Sequence, residues 1–296
     1  MYSAKKVGMD TRKLQVVGNR SFALSLPKRW VLKHRLKAGA SLFIQETANA
    51  DLVIKANPTT PIETKELTVS IETIERLTEF IVFCYVKNVN KLTLLWKKQD
   101  LLKIKQIKQA LQFLDGYDIT KEDEKCLEIS FLFTEVTITI QHIQRRMIYL
   151  LKLMASYIEE KDSEGIAEVE SSLDKLHHLS SRILFSCIRS FSLRRENEID
   201  TEEEIYFYRN ILRRLESIGD LLYKSQKKTF GSNDILQLKE IFELLDKSLR
   251  KEKVFEANYT TKNKELEGFF GRLEEIIHDI SDNLMDLHYN KAFFGE

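Results

Sequence analysis

Proline is scarce in this chain: three occur in 296 residues, at positions 27, 58 and 61. Glycine is scarce too, with ten. So few chain breakers leave little room for long irregular segments and favour helix-rich structure. No run approaches the ~18 apolar residues of a membrane span, and the first residues lack the apolar core of a secretion signal. A cytoplasmic protein without membrane insertion is expected. Cysteine is limited to Cys84, Cys126 and Cys187. An odd, widely spaced set suits buried thiols in a reducing compartment better than a disulfide framework or a thiolate zinc site.

Charge is present but unevenly spread. The net charge is +1, yet residues 1–37 hold ten basic side chains against one acid, Asp10, which makes that segment +9 and the remainder −8. A basic end on an acidic chain points to a polyanionic partner, most often nucleic acid.

The basic segment reads as strands with one short helix. "KLQVV" at 13–17 and "SFALSL" at 21–26 have strand composition, and Phe22, Leu24 and Leu26 alternate with Ser21, Ala23 and Ser25. Gly18-Asn19 between them suits a tight turn. Pro27 suits a first helical turn, because its missing N–H would be unbonded there anyway. "KRWVLKHRL" gives one or two turns ending near Gly39, and "SLFIQE" and "LVIKA" are two further strands. The order ββαββ fits in under 50 residues, too little chain to bury a core alone, so a homodimer is expected.

"NPTTPIET" at 57–64 holds two of the three prolines and is the expected linker. Beyond it, strands at 66–71, 91–96, 117–120 and 126–131 alternate with helices at 72–87 and 98–114, a small α/β connecting domain over 63–127. It has no Gly-rich phosphate loop and no clustered histidine. From 128 to the end there is no proline. Ile140, Ile143, Met147, Leu150, Leu151, Met154 and Ile158 recur at three- and four-residue steps, the stripe of a long amphipathic helix. Further helices are expected at 163–195, 202–228, 233–256 and 262–291, an antiparallel bundle. The fold class is multidomain α+β, with domains 1–57, 63–127 and 128–296.

Residues 12–56 resemble the AbrB/SpoVT-type swapped-hairpin DNA-binding domain. The resemblance rests on the Leu26-Pro27-Lys28 helix entry, the Leu36-Lys37-Ala38-Gly39 turn and the closing apolar strands. The family's usual Gly-Asp after the helix is Gly39-Ala40 here, which removes an acid from the turn and does not bear on DNA contact. The resemblance implies a small β-barrel dimer that touches double-stranded DNA through Arg12, Lys13, Arg20, Lys28 and Arg29. The alternative is that these side chains are the solvated rim of an assembly module. Trp30 is expected in the core or dimer interface rather than as a base-stacking platform.

The late helices carry carboxylate pairs at i, i+4: Glu170 with Asp174, Glu216 with Asp220, and Glu275 with Asp279. Like charges one turn apart repel, and carboxylates on facing helices are how bundles hold hard cations. Among 45 acids such spacings also arise by chance. "RRLESIGDLLYKSQKK" resembles the Leu-Glu-Arg-Ile-Gly-Asp signature of the PhoU family of phosphate-uptake regulators. It matches at Leu215, Glu216, Ile218, Gly219 and Asp220, with Ser217 in place of the arginine. "VESSLDKLHHLSSRI" resembles that family's acidic helix, with Asp174 in the key position. Residues 128–229 then look like one three-helix repeat and 232–292 like a helical hairpin. A swapped-hairpin domain joined to PhoU-type helices is an archaeal arrangement.

The PhoU resemblance implies regulation rather than catalysis, with a multinuclear metal cluster (Fe, Zn, Mg or Mn) at the six carboxylates. It also implies a phosphate transporter or signalling protein as partner. The combined expectation is a transcriptional regulator of phosphate uptake. The alternative is an adaptor that acts on the transporter or its signalling partner without binding DNA. Arg182, Arg213 and Arg214 are near enough in sequence to neutralise the carboxylates instead of a metal. Asp174-x-x-His177 and Glu275-x-x-His278 share the carboxylate–histidine spacing of di-iron bundles but lack that class's flanking pattern, and His177 is expected to be a packing or surface residue.

Overall fold

The computed structural model describes residues 11–18, 21–46, 52–56, 65–98, 100–133, 137–251, 261 and 263–293. The expected linker at 57–64 lies outside the described residues, as do Asn19 and Arg20. The chain divides into two units, Met1–Ile62 and Glu63–Glu296.

In the first unit, β1 (Gln15–Val17) and β2 (Ser21–Ala23) pair antiparallel with Val16 opposite Phe22. Gly18 has φ +67°, a left-handed conformation that glycine adopts without a Cβ penalty. Helix α1 (Lys28–Lys33) starts after Pro27, whose carbonyl accepts from the N–H groups of Trp30 and Val31. Strands β3 (Phe43–Glu46) and β4 (Leu52–Lys55) pair antiparallel with Ile44 opposite Ile54. The ββαββ order is the expected one. Among the described residues, however, the strands form two separate two-stranded ladders and no closed barrel. None of the described side chains of this unit is buried; Val16, Phe22, Ile44 and Leu52 are 72%, 68%, 66% and 67% exposed.

The second unit opens with β5 (Lys65–Ser70), α2 (Leu77–Val86), β6 (Val89–Leu95), α3 (Leu101–Leu111), β7 (Tyr117–Glu122) and β8 (Cys126–Phe131). The sheet order is β5-β6-β8-β7. β5 and β6 are parallel across α2, and the other pairs are antiparallel. The Asp100 carboxylate caps α3 by accepting from the N–H groups of Leu102 and Lys103. Leu92 opposite Ile129 and Leu94 opposite Leu127 form the apolar face, buried with Ile81, Cys84 and Ile107 of the helices. The other face is polar, and Lys91 pairs with Glu128 there at 2.8 Å. The expected boundary at 127 falls inside β8, so the sheet continues to Phe131.

The bundle comprises α4 (Ile140–Glu160), α5 (Ser163–Cys187), α6 (Phe191–Glu196), α7 (Glu202–Ser225), α8 (Ser232–Lys251) and α9 (Lys264–Phe293). All seven members of the α4 stripe are buried. The helix expected over 163–195 is two helices: α5 stops at Cys187, and the Ser190 hydroxyl caps α6 by accepting from Leu193 N–H. Helices α4, α5 and α7 pack on one another, α8 packs on α4, and α9 packs on α7. Ion pairs Lys152–Asp246 and Lys239–Glu159 run α8 antiparallel to α4. Contacts Asn210–Asn283 and Asn290–Thr201 run α9 antiparallel to α7. Thr261, just before α9, donates to Asp234 near the start of α8 at 3.0 Å. The two last helices therefore begin at the same end of the bundle, and 232–292 is not the hairpin expected.

Arg182 of α5 fastens the bundle to the sheet. The residue as a whole is 4% exposed. It donates to the Tyr85 carbonyl and, at 3.2 Å, to Asn90 Oδ1, and it lies 3.7 Å from the centre of the Phe131 ring. Asn88 answers from the sheet side, donating to Ser186 Oγ at 2.9 Å. Burial pulls the Arg182 pKa down to about 10, but the fork of donors to oxygens and the aromatic face keep the cation supported. Arg182→Met should lower unfolding stability by about 2–4 kcal/mol, because the Tyr85 and Asn90 oxygens lose a charged donor and the ring its cation. Arg182→Lys should not restore it. Urea titration checks both; an unchanged midpoint in Arg182→Met would contradict this role.

Candidate metal centre and basic unit

The carboxylates meet beside the contact of Leu173 on α5 with Gly219 on α7. A Cβ on Gly219 would collide with Leu173 Cδ1, so any larger residue there requires the Leu173 side chain to move. Glu170 and Asp174 on α5 then face Asp220 on α7, and one oxygen from each of the three lies within 4.8 Å of the others. Glu216, one turn before Asp220, is close enough for its charge to act on Asp174. Lys224 pairs with Asp220 one turn on, and its charge also reaches Glu170 and Asp174. Sequence reasoning missed this lysine, although its i, i+4 spacing from Asp220 is a signal that could have found it.

Lys224, with Arg213 acting on Glu216, does not balance four carboxylates. Burial first, then the charges of Glu170, Glu216 and Asp220, push the Asp174 carboxyl up to about 7. Burial followed by Asp220 raises Glu170 and Glu216 as well. The three converging ligands are all oxygen, which fits a hard cation such as Mg²⁺, Mn²⁺ or Fe³⁺ better than zinc at an imidazole or thiolate site.

The other expected ligands are elsewhere. Glu275 pairs with Arg272 on its own helix, and Asp279 pairs with Arg214 at 2.7 Å. The reason is helix position: Arg214 and Asn210 of α7 meet α9, whereas Asp220 meets α5. Of the three arginines expected to neutralise the acids, Arg182 is committed to α2 and β6 and Arg214 to Asp279, whereas the charge of Arg213 acts on Glu216. His177 stacks on His178 with ring centres 5.5 Å apart, and burial holds its pKa down at about 4. It is not a member of the carboxylate group. His278 pairs with Asp282 at 3.1 Å.

In the first unit, Arg12 and Lys13 are exposed just before β1, and Lys28 and Arg29 are exposed in the first turn of α1. Trp30 is half-buried beside His34, ring centres 4.7 Å apart. Arg20 lies outside the described residues. No helix among the described residues is long and apolar enough to cross a membrane. Comparison with family models, curated proteins and solved structures finds no match to this chain.

The crowding of acids at the α5–α7 contact makes stability depend on pH. Without metal, stability should fall as pH rises from the ordinary aspartate value of 3.8 through the folded value of about 7 for Asp174. The folded state holds this proton more tightly than the unfolded state does, so ionisation beside Glu170, Glu216 and Asp220 is destabilising, with Lys224 offsetting only part. Thermal midpoints across that range should flatten in Asp174→Asn; a wild-type profile that rises with pH would contradict the assignment. Gly219→Ala should cost about 1–3 kcal/mol by forcing Leu173 out of its buried seat, measured by denaturant unfolding.

Proposed function

We propose that the chain is a homodimeric, DNA-binding regulator of phosphate uptake. It joins an AbrB/SpoVT-type domain to a PhoU-like bundle that holds one hard cation at Glu170, Asp174 and Asp220. The observation that carries the DNA half is the first unit itself: its paired apolar side chains stand open beside exposed cations. A second copy covering Val16, Phe22 and Ile44 would supply the missing core and duplicate Arg12, Lys13, Lys28 and Arg29. Duplicated cations on a two-fold surface suit two half-sites of a duplex, neutralising phosphates on each. The phosphate half rests on the Leu215–Asp220 signature. Its Gly219 makes the tight helix contact, and its Asp220 belongs to the carboxylate group.

Binding of the full chain to a duplex should weaken steeply as salt rises. Lys28→Ala and Arg29→Ala should each reduce the slope of log K against log salt by about 1 for every phosphate left without its cation, counted over both half-sites. Fluorescence anisotropy over a salt series measures this. No binding to any duplex at low salt would sink the DNA reading and favour the adaptor.

A further inference from the structure

A cleft of about 460 Å³ opens at the end of the bundle where α4 begins and α8 finishes, with Glu198 on its third side. Its volume is that of a small-molecule site. The carboxylate group shares no residue with the cleft wall.

Gln144 forms part of the cleft wall and is 6% exposed. Its amide has no hydrogen-bond partner among the described residues. The amide atoms are not enclosed like the rest of the residue; on the apolar stripe of α4 they open to the cleft, where water or a ligand can pair with them. Arg145 stands next to it; its Nε donates to the Gln141 carbonyl at 3.2 Å, which leaves the two terminal nitrogens without an acid among the described residues. His142 on the same wall has Nδ1 engaged with Thr139 Oγ1 at 2.8 Å, so Nε2 is the nitrogen left over. Asp246, the acid opposite, is held by Arg250 at 2.9 Å and by Lys152 at 3.2 Å, so its charge is already answered. Glu198 carries no cation among the described residues and can accept from a hydroxyl. Ile148 and Leu249 complete the wall with hydrocarbon.

We propose that this cleft binds a small hydroxylated oxyanion, a sugar phosphate or a sugar acid. Arg145 and the Gln144 amide take the oxyanion, Glu198 accepts from a hydroxyl, and the C–H face of the ligand lies on Ile148 and Leu249. A planar guanidinium with two free donors matches phosphate and carboxylate oxygens alike. The site would serve the protein whether or not it binds DNA.

The test titrates glucose 6-phosphate, gluconate and glucose into the full chain by calorimetry, with thermal midpoints read in parallel. One of the two oxyanions should bind and raise the midpoint, and glucose should do neither; which oxyanion binds tells phosphate ester from sugar acid. Arg145→Ala should weaken that binding at least about tenfold. Gln144→Leu should be as stable as the wild type or more so without ligand, and should lose the response. The proposal is overturned if neither oxyanion binds, if Arg145→Ala binds as well as wild type, or if Gln144→Leu unfolds earlier without ligand, since the amide would then have a protein partner.

Discussion

A single buried guanidinium decides how the larger unit is built. Arg182 sits on α5 but directs its donors to the Tyr85 carbonyl at the end of α2 and the Asn90 side chain of β6, with the Phe131 ring beneath it. A charge this deep is tolerated only when its donors are met and its face is covered. Meeting those terms fixes where α2, β6 and β8 can lie against α5. It also removes Arg182 from the pool of cations that could answer the acids earlier on the same helix. The carboxylates on α5 and α7 are left with Lys224 and, for Glu216, Arg213; burial and mutual repulsion raise their proton affinities against that partial compensation.

The two units solve the burial problem differently. In Glu63–Glu296 the sheet closes one apolar face with α2 and α3, and five long helices share one continuous core. Among the described residues of Met1–Ile62 the same alternation of apolar and polar residues closes on no buried core, and Val16 and Phe22 face each other across β1 and β2 in the open. Short ladders of this kind are marginal by themselves in water. The exposed side chains are hydrocarbon along the strands and cations at their margins.

Much of this architecture was legible in the sequence, because period two and period 3.6 are strong signals when one face is buried. Strands, the α4 stripe and the acidic pairs of α5 and α7 all followed from spacing. The break at Ser190 did not, since Phe191 and Leu193 continue the apolar beat while the serine hydroxyl starts a new helix. Glu275 and Asp279 were misplaced for a related reason. Spacing along one helix tells which side chains share a face, not which neighbour that face meets, and α9 turns this pair toward Arg214 and solvent. Gln144 was invisible because one polar residue inside an apolar stripe resembles a lapse in the pattern. Only its lack of a partner, seen in three dimensions, gives it meaning.

The contact between Gly219 and Leu173 has a mechanical side. Hydrocarbon against bare backbone sets the distance between α5 and α7, and close-packed matter of that kind yields little. The acids mounted on either side cannot relax their repulsion by drifting apart. The helix spacing acts as a gauge block that holds negative charge in a fixed, compressed arrangement before any ion arrives. A cation entering such a site would meet ligands already ordered, so little of its binding energy would go to assembling them.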